Sequence, residues 1–139
     1  MKLVFHNNKT AVIRPYQESD FQQIQELNTE EGWTNLVIEN DNTKEAWKNS
    51  TVSYVVEAEG DGVVGYVRGL TDTRITLYIC ELLIGKEYRG LGVGKELLQY
   101  VHQLYPKTRI EMLASSTSHT FYEDQGYRPF YGFRKTIGE

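Results

Sequence analysis

The feature that most constrains the fold is the run Glu87-Tyr88-Arg89-Gly90-Leu91-Gly92-Val93-Gly94-Lys95-Glu96-Leu97-Leu98, where a strand passes through alternating glycines straight into an amphipathic helix. The first turn of a helix leaves backbone N–H groups without partners, and the helix dipole adds partial positive charge there. With no side chains at Gly90, Gly92 and Gly94, a bulky anion can approach those donors closely. The run therefore predicts a phosphate or pyrophosphate cradle built from main chain. The competing reading is that the glycines only make a tight strand-to-helix connection. Two other nucleotide cradles fit badly. A Walker A loop needs Ser or Thr after Gly-Lys, and Gly94-Lys95 is followed by Glu96. A dinucleotide fingerprint needs G-x-G-x-x-G at the first βα turn, whereas this G-x-G-x-G comes late, after a hairpin.

The rest of the chain supplies an α/β setting for this turn. Its 139 residues suit one domain, 1–139, with 40% hydrophobic and 24% charged residues. Val12-Ile13-Arg14 reads as a strand stopped by Pro15, and Ser19 or Asp20 can cap a helix carrying Phe21, Ile24 and Leu27, with Glu30 and Glu31 beyond, ended near Gly32. A second helix covers Asn42 to Asn49, and the intervening Gly32–Asn35 shows no deciding pattern. Ser53–Glu59, Gly60-Asp61-Gly62 and Val63–Leu70 read as a hairpin, followed by a longer strand from Arg74 to Ile84. The helix after the glycines has its apolar positions Val93, Leu97, Leu98, Val101 and Leu104 spaced for one face and ends near Pro106. Arg109–Leu113 is a further strand, Ser118–Gln125 a short helix ended by Gly126, and Tyr127–Lys135 one or two closing strands. The order β-α-α-β-β-β-α-β-α-β gives an α/β domain around a mixed sheet.

Composition narrows the partners. The net charge of −4 gives no general attraction to nucleic acid or anionic lipid and mildly favours cations such as amines. No apolar run approaches the ~20 residues of a membrane span. The opening Met1–Lys9 breaks off too early for a secretory signal, and the single Cys80 excludes an internal disulfide framework, so a cytoplasmic protein is expected. Three histidines without ligand spacing predict no metal.

The chain resembles the GNAT superfamily of N-acetyltransferases. The family motif Arg/Gln-x-x-Gly-x-Gly/Ala is matched by Arg89, Gly92 and Gly94, and Glu81-Leu82-Leu83-Ile84 ahead of it looks like the family's cofactor strand. Phe121-Tyr122-Glu123-Asp124-Gln125-Gly126-Tyr127 is similar to the family's F-Y-x-x-x-G-F/Y, and the element order agrees from about Val12 to Lys135. The resemblance implies a mixed, mostly antiparallel sheet with a splayed central strand pair, flanked by helices. It implies acetyl transfer from acetyl-CoA, as co-substrate, directly to a primary amine of a small molecule. The main chain of Arg89, Gly90, Leu91, Gly92, Val93, Gly94 and Lys95 would hold the coenzyme A pyrophosphate. The backbone of Leu82, Leu83 and Ile84 would pair with the pantetheine amides, which requires Arg109–Leu113 to splay away. A homodimer is compatible with the family, though no feature of the chain decides it.

The same resemblance makes Tyr122 the general acid for the departing thiolate, the alternative being a tyrosine that packs its helix on the sheet. Glu81, a charge inside an apolar strand, is the candidate general base, or else a partner for a cation such as Arg68. Cys80 should face the side opposite Glu81, as a buried thiol. His119 reads as a helix-face residue one turn before Glu123. Ser115 stands where many relatives have an asparagine that bonds pantetheine. Trp33, Tyr127 and Tyr131 are candidates for an aromatic acceptor pocket or for core packing. The alternative function is a non-catalytic acyl-CoA-binding module that acts through a partner and needs neither Tyr122 nor Glu81.

Overall fold

A computed structural model describes residues 1–5 and 8–139, so part of the opening stretch weighed above as a secretory signal lies outside the described residues. Strands β1 (Lys2–Val4), β2 (Thr10–Pro15), β3 (Val52–Ala58), β4 (Gly62–Thr71), β5 (Thr76–Ile84) and β6 (Arg109–Met112) form one sheet in chain order. Every neighbouring pair is antiparallel except β5–β6. That exception follows from the connection: a parallel neighbour needs a crossover. Between β5 and β6 runs the long helix at Val93–Leu104. Three helices, α1 (Phe21–Glu31), α2 (Thr34–Ile38) and α3 (Asn40–Asn49), link β2 to β3; the crossover helix is α4, and α5 (His119–Glu123) follows β6.

The helices cover both faces of the sheet. α4 buries Val93, Leu97, Leu98 and Val101, at helical spacing, against Ile13, Val52, Val56, Val67, Leu77 and Ile79. On the other face Phe21 and Ile24 of α1 and Trp47 of α3 close over Val55, Val63, Tyr66 and Leu83. Asn28, buried on the inner side of α1, accepts a 2.5 Å hydrogen bond from the Tyr66 hydroxyl and donates to Gln25. The entry to α1 is fixed by the buried Asp20 carboxylate, which accepts from both Arg14 Nη atoms (2.8 and 2.7 Å) and from the Gln17 N–H (2.8 Å).

Two irregularities in β5 shape the centre of the molecule. Arg68 pairs with Glu81 but Gly69 pairs with Ile79, so Cys80 is an extra residue, a β-bulge. Gly69 is required opposite it, since a Cβ there would lie 2.6 Å from the Tyr78 carbonyl oxygen. Pairing between β5 and β6 stops at Ile79↔Met112. Beyond that point, from Cys80 to Ile84, no strand among the described residues pairs with this edge of β5.

The structure corrects the sequence reading in several places. β1 and α2 were not expected; three and five residues are too short for a period to register in sequence. The closing strands expected over Tyr127–Lys135 do not form. Among the described residues no backbone hydrogen bond involves Arg128–Lys135, and Phe130, Tyr131 and Phe133 are 82%, 97% and 94% exposed. Pro129 cannot donate to a ladder, and the run Phe130-Tyr131-Gly132-Phe133 lacks the alternation that would give a strand one apolar face.

Candidate functional site

The glycine turn leaves β5 through a short 3-10 turn at Lys86–Tyr88 and enters α4 at Val93. Gly90 and Gly92 adopt φ of 76° and 82°, the left-handed region that glycine enters without strain. A Cβ at either would meet nothing within 4 Å, so both stand in open space. The Arg89 N–H bonds to the Lys86 carbonyl and the Glu96 N–H to the Gly92 carbonyl. The N–H groups from Gly90 to Lys95 have no acceptor among the described residues, and no side chain caps α4. Such a concentration of unpaired donors at the positive end of a helix of twelve residues fits a diphosphate. Gly94 does something different. It is buried, and a Cβ there would lie 3.0 Å from Phe121 Cζ and 3.7 Å from Ile84 Cγ1. Two glycines thus leave the donors bare, while the third lets α5 pack against the start of α4.

The turn is anchored on both sides. The Tyr88 hydroxyl donates to the Asp61 carboxylate at the tip of the β3–β4 hairpin, a contact that pushes the Tyr88 pKa up to about 12. Arg89 Nε donates to the Ile84 carbonyl at 2.8 Å, and Arg89 Nη2 donates to Glu31 at the end of α1. Sequence reading missed the Asp61 and Glu31 contacts, because both join residues far apart in the chain with no local pattern to announce them.

The free edge of β5 adjoins this turn. The Gly85 N–H donates to the Val64 carbonyl at 2.8 Å, so Gly85, and by alternation Leu83 and Glu81, turn their backbone groups toward β4. Leu82 and Ile84 therefore turn their N–H and C=O groups to the gap left by β6, the Ile84 carbonyl being occupied by Arg89 Nε, and an extended chain of amides can add there as a strand. The splay expected over Arg109–Leu113 does not run over that stretch: Arg109–Met112 pair with Thr76–Ile79, and the two strands part only beyond Ile79↔Met112.

The bulge decides which side chains share a face. Ile79 and Leu82 both pack on the α4 side, so Cys80 and Glu81 between them both point to the other. Cys80 thus lies beside Glu81, not opposite it as simple alternation predicts. Burial raises the thiol's pKa, with Arg68 opposing and Glu81 adding to the shift, which leaves a protonated, inert group. Glu81 is gripped by Arg68 through Nε (2.7 Å) and Nη2 (2.5 Å), the two side chains being 15% and 16% exposed. Arg68 Nη1 also donates to Ser50 Oγ at 3.2 Å. Burial opposes the guanidinium charge, and the Glu81 carboxylate more than restores it, so the Arg68 pKa is raised. Of the two roles weighed for Glu81, ion-pair partner is the one realised here.

Tyr122 sits on α5, half-buried, edge-on to Phe121 and Tyr127 with ring centroids 5.1 and 5.6 Å away. Burial raises its pKa, so the phenol keeps its proton, and no hydrogen bond engages its hydroxyl among the described residues. It packs on the α4 side with Leu82 and Ile84, the side opposite Glu81. Ser115 uses its hydroxyl locally, 3.0 Å from those of Thr117 and Ser118 at the entry to α5. His119 Nδ1 lies 3.0 Å from Glu123 on the exposed face of α5. Trp33 packs on the α1–β4 cluster and Tyr127 on Tyr122, but Tyr131 projects into solvent.

Residues 8–135 match the family defined as the acetyltransferase (GNAT) domain. The chain belongs to the GNAT acetyltransferase family. None of the curated proteins compared matches the acetyltransferase in sequence. Among solved structures it is similar to a GNAT-family acetyltransferase from Streptococcus pneumoniae TIGR4, at 19% identity and a TM-score of 0.74 over 94% of this chain and 99% of that one. An acetyltransferase of Trypanosoma brucei shares 21% identity, with a TM-score of 0.69 over 91% and 98% of the two chains. Ard1 from Thermoplasma volcanium shares 17%, with a TM-score of 0.67 over 87% and 84%. At these identities the likeness is one of fold: a single domain with a mixed sheet flanked by helices. Among the described residues no helix of the acetyltransferase is long and apolar enough to cross a membrane.

Proposed function

We propose that this domain is a cytoplasmic N-acetyltransferase that moves an acetyl group from acetyl-CoA directly to a primary amine of a small molecule. The observation that carries the reading is the junction of two backbone surfaces, the unpaired N–H groups of Gly90–Lys95 and the edge of β5 beyond β6 at Leu82 and Ile84, of which the Ile84 carbonyl is held by Arg89. A diphosphate joined to an amide-bearing arm would use both at once. Acetyl-CoA supplies such an arm and, at its end, a thioester whose carbonyl carbon an amine nitrogen can attack as the C–S bond breaks. The protein's part is to hold that carbonyl against the amine, and much of the rate comes from positioning. Tyr122, protonated and with a free hydroxyl, gives its proton to the departing thiolate. Glu81 takes the ammonium proton, directly or through water, and must loosen from Arg68 to do so.

An assay of thiol release over a panel of amines tests the proposal. Turnover with at least one primary amine is expected, and Tyr122→Phe should lower kcat by roughly 10²-fold. Full activity in that variant removes the acid role and keeps the enzyme. The capture of Glu81 by Arg68 favours a second reading, an acyl-CoA-binding module acting through a partner. Tight coenzyme A binding with no turnover on any amine would establish that reading in place of the first.

A further inference from the structure

Glu81 cannot take a proton while Arg68 holds both of its oxygens, at 2.7 Å from Nε and 2.5 Å from Nη2. Drawing Glu81 away has a consequence for the arginine. Among the described residues the other hydrogen-bond partner of Arg68 is Ser50 Oγ, 3.2 Å from Nη1, a neutral group that cannot balance a guanidinium. The groups beside the pair are neutral too: the Cys80 thiol keeps its proton, and the Tyr66 hydroxyl is bonded to Asn28. Taking one partner from a largely buried pair strands the other charge, which corresponds to roughly 10²-fold or more in affinity. A plain amine that captured Glu81 would leave Arg68 in that state. An amine carrying its own carboxylate would not.

Resting on the reading of Glu81 as the base of the transfer, we infer that the acetyl acceptor is an α-amino acid, a carboxylate on the carbon next to the amine, which enters by exchange of ion pairs. Its carboxylate replaces Glu81 on Arg68 as its ammonium replaces Arg68 on Glu81. The resting pair already has the charges of a zwitterion, so the exchange adds no net charge and strands none. Arg68 and Glu81 are direct partners across β4 and β5, which keeps both within the span of one small ligand. The planar fork of Nε and Nη2 receives any carboxylate at two points, as it now receives Glu81. Glu81 takes one proton of the ammonium, and the nitrogen then bonds the acetyl carbon as the C–S bond breaks. The sulfur takes the Tyr122 proton, and the second proton shed by the nitrogen returns through solvent to Tyr122. The acetamide nitrogen is then neutral and no longer balances a carboxylate. Glu81 loses its proton to water, returns to Arg68 and displaces the N-acetylated product.

Matched acceptors test the exchange on the wild-type chain. Common α-amino acids, their α-amides and the amines left on removing the carboxylate are compared by thiol release from acetyl-CoA. The same compounds are titrated calorimetrically into the coenzyme A-bound protein. At least one amino acid should exceed its amide and its decarboxylated amine roughly 10²-fold in kcat/KM and in affinity. Arg68→Lys should keep part of that preference, and Arg68→Met should bring the ratio to about 1. A merely structural arginine would lower all three acceptors together and leave the ratio standing, a result that overturns the inference. Should Arg68→Met fail to fold, the wild-type ratios and Arg68→Lys still decide. Equal turnover of amino acids and their matched amines also overturns the exchange and leaves the acetyltransferase reading intact. Carboxylate-dependent binding with no turnover would support the zwitterion site and sink the transfer reading. The absence of both turnover and any preference in binding refutes the exchange and the transfer together.

Discussion

Replacing Gly92 by alanine separates a turn that binds from a turn that merely connects. With φ at 82° and nothing within 4 Å of the added methyl, the substitution meets no steric obstacle in the protein itself. Its intrinsic cost is the left-handed backbone, roughly 1–2 kcal/mol, equivalent in a domain of this size to a Tm lower by about 3–10 °C. The methyl would nevertheless stand among the open N–H groups of Gly90–Lys95. Loss of one hydrogen bond to a charged group, about 1.5–3 kcal/mol, should weaken coenzyme A binding roughly 10- to 100-fold. Gly32→Ala is the control: the same φ of 82° and the same empty surroundings, at the end of α1. Calorimetric titration of both variants with coenzyme A, alongside thermal melts, gives the comparison. Equal affinities for Gly92→Ala and Gly32→Ala, at similar losses of Tm, would refute the cradle and leave the glycines as a connection.

Arg68→Ala should cost about 3 kcal/mol, because it strips a largely buried carboxylate of its donors; replacing both partners, Arg68→Met with Glu81→Leu, should recover most of that in urea melts without restoring turnover. Gly69→Ala should destabilise the protein by about 1–3 kcal/mol and lower acetyl transfer, since the backbone opposite the bulge has to move away from the new Cβ. Asp20 gives a pH signature: burial works against its charge, but Arg14 and the Gln17 N–H overcome it and hold its pKa below the ordinary value. A depressed folded pKa contributes stability above the unfolded value, about 3.9, that is lost as pH falls through the folded one. The gap in urea midpoint between wild type and Asp20→Asn should therefore be widest near pH 7 and shrink below about pH 4.

What sequence made legible was short-ranged. The turn, α4 and the β3–β4 hairpin each announce themselves within a dozen residues, through glycine placement or an apolar period. The bulge at Cys80 cannot be read this way, because it exists only in the register between β4 and β5, and with it went the side assigned to the thiol. The Arg68–Glu81 pair was within reach as one of two alternatives, since an acid in an apolar strand asks for a cation, but the choice between them needed the cross-strand alignment. Asp61 read as part of a tight turn, and nothing nearby connects its carboxylate to Tyr88. The segment after Gly126 misled for the opposite reason: its aromatics suit a strand by composition, while Pro129 and the missing alternation work against one.

Arg89 links the two halves of the site in a way that bears on how an anion would arrive. Its guanidinium holds the Ile84 carbonyl, one of the groups offered at the free edge, and is tethered to Glu31 by an exposed ion pair. Added salt would screen two attractions at once, that of the turn for an incoming diphosphate and that of Glu31 for the arginine. The first loss weakens capture and the second loosens the tether, so affinity should fall more gently with ionic strength than at a site built from bare cations.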